Sequence, residues 1–177
     1  MSKSARGFTL IELLIVIAII SILAAIGMVM YGSTQKSARL AKRVSDLQGI
    51  HKALELYRSD NEFYPIVASL NSECAIGGSV SPDNVIPGLV PKYLQSFPAD
   101  PQMDKAGNTS CYIYISTSDG SGYKIIDYQI SDFDDAADYM KIRGLIDPAR
   151  DGGADSCRAD GTNPEAWGFF TYNACAL

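Results

Sequence analysis

Apolar positions follow three regimes along the chain. From Leu13 to Tyr31, nineteen consecutive residues carry no charge. Wound as a helix at about 1.5 Å per residue, that run reaches roughly 28 Å, the thickness of the hydrocarbon layer of a bilayer. Further on the apolar positions thin out. Leu40, Val44, Leu47, Ile50, Leu54 and Tyr57 recur at steps of three or four, with Arg39, Lys42, Arg43, Asp46, Lys52, Glu55 and Arg58 between them. This is the period of an amphipathic helix. No proline interrupts residues 8–64. The pattern predicts one long helix from about Thr9 to Ser59, whose first half needs lipid or other apolar helices and whose second half needs a sheet to lie on.

The segment "SDNEFYP" ends that pattern with Asp60, Asn61 and Pro65. Residues 66–110 hold Pro82, Pro87, Pro91, Pro98 and Pro101 and read as a connecting loop with a short turn around Tyr93–Gln95. The period then changes to two. "CYIYIST" (Cys111 to Thr117) and "YKIIDYQI" (Tyr123 to Ile130), joined by "SDGSG", predict a hairpin. "WGFFTY" (Trp167 to Tyr172) predicts a third strand, and "DDAADYMKIRGL" a short helix or strand-like excursion. The expected class is α+β: a long N-terminal helix on an antiparallel sheet of three or four strands. Tyr112, Tyr114, Tyr123, Tyr128, Phe169, Phe170 and Tyr172 are read as sheet packing.

Charge sharpens this division. Residues 1–58 carry a formal balance of +5 and residues 59–177 one of −10. The acidic half argues against nucleic acid as a partner. Four cysteines, Cys74, Cys111, Cys157 and Cys175, all lie beyond the apolar run, and none forms a C-x-x-C pair. With His51 the only histidine, a zinc site has little support and disulfides in an oxidising compartment are expected. Three pairings are possible. Cys74–Cys111 with Cys157–Cys175 closes the shorter loops and is preferred. Free thiols in a cytosolic protein are the alternative.

Glu12 is the anomaly. A lone carboxylate in hydrocarbon costs on the order of 3 kcal/mol even on insertion scales. Around it, "RGFTLIELLIVIAIISILAAI" resembles the N-terminus of type IV pilins and of the pseudopilins of type II secretion systems. The shared pattern is a short basic leader (Lys3, Arg6), then Gly7, then Phe8, with Glu12 four residues further on. The resemblance implies a pilin fold and cleavage by a membrane prepilin peptidase between Gly7 and Phe8, removing residues 1–7. It also implies N-methylation of the new amine on Phe8. Ser21 and Val29 depart from the pattern, standing where such proteins often have glycine and a helix-kinking proline, so less helix melting is expected near Val29. "FYP" and "YLQSFPADP" also resemble the connector of major pseudopilins.

That amine explains Glu12. A positive charge at Phe8 lies four residues before the carboxylate, on one helix face, and can pair within a subunit or across to a neighbour. Residues 8–31 are then the membrane and assembly half of the helix, 32–60 its amphipathic half, 61–110 the connector and 111–177 the sheet domain. One count opposes this orientation. Lys36, Arg39, Lys42 and Arg43 follow the apolar run, against Lys3 and Arg6 before it, which by the positive-inside rule favours a cytosolic C-terminal domain. The leader and the cysteines favour the opposite side. The basic cluster is therefore expected to face acidic surface on an adjacent subunit.

Other chemistry is sparse. The loop "DPARDGGADSCRAD" (Asp147 to Asp160) could ligate calcium through Asp151, Asp155 and Asp160, as the resemblance implies for the loop before the last strand, although its spacing is not that of an EF-hand. A solvated acidic loop is the competing reading, as it is for Asp132, Asp134, Asp135 and Asp138. Asn108-Thr109-Ser110 matches a glycosylation triplet by chance. With one histidine and neither a nucleophile elbow nor a phosphate loop, no enzyme is expected. The expectation is a fibre subunit of a secretion pseudopilus or a type IV pilus, anchored once in the cytoplasmic membrane with its C-terminal domain outside the cytoplasm. Its partners would be sister and minor subunits, the peptidase, an inner-membrane assembly platform and lipid. The alternative is a membrane-tethered ligand- or calcium-binding domain that never polymerises.

Overall fold

A computed structural model describes residues 8–74, 78–103, 110–128, 143–159, 161 and 166–177. The chain divides into two compact units, Met1–Arg39 and Leu40–Leu177. Helix α1 (Leu10–Asn61) contributes to both. In the first unit it is a bare helix: its large apolar side chains from Leu10 to Met28 stand between 43% (Val16) and 81% (Leu10) exposed. Ser21 donates its hydroxyl to the Ile17 carbonyl at 2.7 Å, so this polar group is satisfied within the helix. The backbone stays helical through residue 29. Proline's missing N–H and ring clash are absent there, so no hydrogen bond is lost.

In the second unit α1 lies on a sheet. Strands β1 (Asn71–Ser72), β2 (Gly78–Ser79), β3 (Cys111–Ser116), β4 (Tyr123–Tyr128) and β5 (Ala166–Phe170) run in the order β2-β1-β3-β4-β5. The pairs β1–β3, β3–β4 and β4–β5 are antiparallel, while the two-residue β2 pairs parallel with β1. The connector thus adds a fourth antiparallel strand by folding Asn71 opposite Tyr114 and Ser72 opposite Ile113. Leu47, Ile50 and Leu54, one helix face, join Tyr112, Tyr114, Tyr123, Ile125 and Trp167 in the main core, which Val85, Ile86, Leu89 and Phe97 of the connector complete. The sheet's other face is also covered: Ile113, Ile126 and Ala166 cluster with Cys74 and Cys111.

Boundaries shift slightly from the sequence reading. The helix runs on to Asn61, whose amide donates to the Tyr57 carbonyl at 2.7 Å, and Glu62 then reverses the chain at φ 72°. β5 stops at Phe170, and Tyr172, read as a strand aromatic, opens a 3-10 turn (Tyr172–Ala174) and is 86% exposed. Most of "DDAADYMKIRGL" lies outside the described residues, as do Asp132, Asp134, Asp135, Asp138, Asn108 and Thr109; its last residues, Arg143–Leu145, form a 3-10 turn. At the β3–β4 turn, Gly120 sits at φ 67°, and an added Cβ would come within 2.9 Å of the Tyr64 carbonyl oxygen. Gly120→Ala is therefore expected to destabilise the domain by more than about 1 kcal/mol, read as a lower denaturation midpoint with an unchanged slope.

Candidate assembly site

Thr9 and Glu12 close the start of α1 on each other. The Thr9 backbone N–H donates to Glu12 Oε2 at 2.8 Å, the Thr9 hydroxyl donates to the same oxygen at 2.7 Å, and the Glu12 N–H donates to Thr9 Oγ1 at 3.2 Å. This is the reciprocal capping box, T-x-x-E, with Thr9 as N-cap. It satisfies two of the helix's first orphan donors and sets a carboxylate at the positive end of the helix dipole. The sequence reading named Glu12 and missed Thr9, although the T-x-x-E spacing before an apolar run was there to be read. Phe8, one residue ahead of the cap, is 73% exposed. Gly7 and the leader lie outside the described residues.

The basic cluster after the apolar run is not uniform. Arg43, read as one of the polar positions between the apolar ones and as part of that cluster, is fully buried. Its Nε lies 2.5 Å from Asp100 Oδ2 and 3.0 Å from Asp127 Oδ2, and its Nη2 donates to Gln102 Oε1 at 2.8 Å. Lys42 pairs with Asp46 one turn on. Arg43 thus spends its charge inside the second unit on carboxylates of the connector and of β4. That corrects both its assignment to the polar face and its place in a cluster aimed at a neighbour. Beside this group Tyr112 donates to Asp46 Oδ2 at 3.0 Å. Burial first, then the charges of Asp127 and Asp46, push its hydroxyl well above the ordinary tyrosine range.

Two disulfides, Cys74–Cys111 and Cys157–Cys175, tie the connector to β3 and the C-terminal loop to the tail. His51 is engaged in packing: Nδ1 lies 2.5 Å from the Tyr123 hydroxyl, and the ring stacks on Phe169 at 5.0 Å. In the acidic loop, Asp151 is fully buried. Its Oδ1 accepts the Gly153 N–H at 2.8 Å and its Oδ2 the Gly161 N–H at 3.0 Å. Asp155 accepts the Cys157 N–H at 2.9 Å, closing a local turn. Asp160 lies outside the described residues. Among the described residues, no three carboxylate, thiolate or imidazole groups gather at metal-binding range.

An exposed apolar helix opening on a capped glutamate, followed by a helix-on-sheet domain, defines a protein of the prepilin class. The family described as "Prokaryotic N-terminal methylation motif" matches residues 2–28. The chain is 29% identical over 121 residues to type II secretion system core protein G of Escherichia coli (strain K12), covering 68% of this chain and 79% of that protein. To core protein G of Vibrio cholerae serotype O1 it is 31% identical over 118 residues, covering 66% and 75%. To that of Pectobacterium carotovorum subsp. carotovorum it is 32% identical over 98 residues, covering 54% and 61%. No solved structure matches it significantly. The chain belongs to the type II secretion system core protein G family.

Proposed function

We propose that this chain is a structural subunit of a type II secretion pseudopilus. It is held in the cytoplasmic membrane by the first part of α1, cut between Gly7 and Phe8, methylated on Phe8, and stacked into a fibre. The observation that carries this reading is the helix from Leu10 to Met28, whose large apolar side chains stand exposed among the described residues. Such a surface is stable only in lipid or among sister helices. Lipid serves the stored subunit and sister helices the fibre, so one surface supports both states. Head-to-tail stacking through unlike faces gives an open filament, not a closed ring. The capping box at Glu12, the two disulfides and the family's name support the same reading, and none of them calls for catalysis.

The two disulfides support a reading in which the Leu40–Leu177 unit lies on the oxidising side of the membrane. Prepilin peptidase, other pilin-like subunits and an inner-membrane platform are the partners this reading requires. Intact-mass and N-terminal sequencing of protein purified from cells with the secretion machinery is expected to give a mature chain starting at N-methyl-Phe8. An intact Met1 in those cells would instead favour a tethered domain that never polymerises.

A further inference from the structure

Among the described residues Lys124, like Arg43, is a fully buried cation. It projects from β4 on the face opposite Tyr123 and Ile125, which belong to the main core. Its Nζ donates to Asp147 Oδ1 at 2.7 Å, to the Cys175 carbonyl at 2.8 Å and to the Leu177 main-chain oxygen at 2.8 Å. Three acceptors account for all three protons of an ammonium. Arg150 closes the other side, its Nη1 donating to Asp147 Oδ2 at 2.7 Å and to the Leu177 oxygen at 3.1 Å. The Phe170 ring lies 5.7 Å from the ammonium. A carboxylate from the loop before β5 and main-chain oxygens from the tail after it thus converge on one protein-borne cation.

This is the arrangement a bound divalent ion would make, with hard oxygens from two separate segments drawn onto one positive centre. Here the centre is an ammonium. Both Asp147 oxygens are engaged by cations, and both Asp151 oxygens hold backbone N–H groups of their own loop. A calcium ion would have to displace Lys124 or Arg150 from Asp147, or open the loop closed on Asp151. The described donor set therefore does not fit calcium. We infer that in this chain the Lys124 ammonium, clamped by Asp147 and Arg150, takes the place of calcium in fastening the C-terminal loop and tail to the sheet. Burial pulls the Lys124 ammonium below the ordinary lysine value, and the hydrogen bond to Asp147, with its charge, pulls it back.

The test uses the full chain in detergent micelles. Wild-type Tm is expected to be the same in EDTA as in added calcium chloride, and calorimetric titration with calcium to give no binding heat, because a ligand of the folded state would raise Tm by mass action. Asp147→Asn, which keeps the shape of the site and removes the counter-charge, is expected to lower Tm by about 10 °C in either solution. Lys124→Met is expected to move it in the same direction, and Asp147→Asn gives the reading should that variant not fold. A rise in wild-type Tm with calcium, a saturable calcium heat, or an unchanged Tm in Asp147→Asn would each overturn the inference. None of these readouts depends on fibre assembly.

Discussion

Glu12→Ala is expected to insert into the membrane and lose its leader normally, yet to yield almost no fibre. In the single subunit Glu12 does local work, since its carboxylate accepts both the N–H and the hydroxyl of Thr9. Losing that cap costs about 1 kcal/mol of helix stability, which frays a turn and leaves a span of nineteen uncharged residues able to insert. Assembly makes a larger demand. On the proposed reading, helices that leave lipid and pack together would each bring a positive amine on Phe8 into an apolar bundle. An unpaired charge there costs several kcal/mol, and the Glu12 of a subunit already in place is the counter-charge at the same end of the helix. Glu12→Gln separates the two roles, because its amide oxygen can still accept from Thr9 while the charge is gone. If charge sets the register, Glu12→Gln processes normally and fails in assembly nearly as badly as Glu12→Ala. Fibre yield by shearing and immunoblot, with leader removal read on the same gel, decides it. Normal fibre from Glu12→Gln would reduce the residue to a helix cap.

How much of this was legible beforehand depends on the range of the interactions. The long helix and the β3–β4 hairpin follow from periodicity, and their observed ends fall within two residues of the predicted ones. Capping is local too, so the Thr9–Glu12 box was readable and was overlooked. β1 and β2, two residues each, are too short for any period to show; they form because the connector lays Asn71 and Ser72 along β3. Arg43 and Lys124 are harder still. Among positively charged residues on a helix or strand, nothing local marks the one that will be buried. That is decided by Asp100, 57 residues from Arg43, and by Asp147, 23 residues from Lys124. A charge enters a core only where the fold delivers its partner, and sequence spacing does not report that delivery.

The same reasoning makes Arg43 a point of vulnerability in the Leu40–Leu177 domain. Arg43→Met is expected to destabilise it by about 3–5 kcal/mol. The side chain lost is a similar length of hydrocarbon, so packing changes little. What changes is that Asp100 and Asp127, both with fully buried side chains, lose the guanidinium between them. Two like charges in a site of low dielectric then repel each other. Because Arg43 comes from α1, Asp100 from the connector and Asp127 from β4, the damage falls on the junction of all three. Chemical denaturation should show the midpoint falling with the slope retained. The rescue is specific: combining Arg43→Met with Asp100→Asn and Asp127→Asn removes the uncompensated charge and should recover much of the loss, whereas a purely steric defect would leave the triple variant as weak as the single one. A surface pair behaves otherwise. Lys92 and Asp60 meet at 2.8 Å in solvent, at 66% and 51% side-chain exposure, and Lys92→Ala should leave the midpoint where it was. Equal losses from Arg43→Met and Lys92→Ala would show that burial does not set the weight of these ion pairs, and the argument from Arg43 would fail with it.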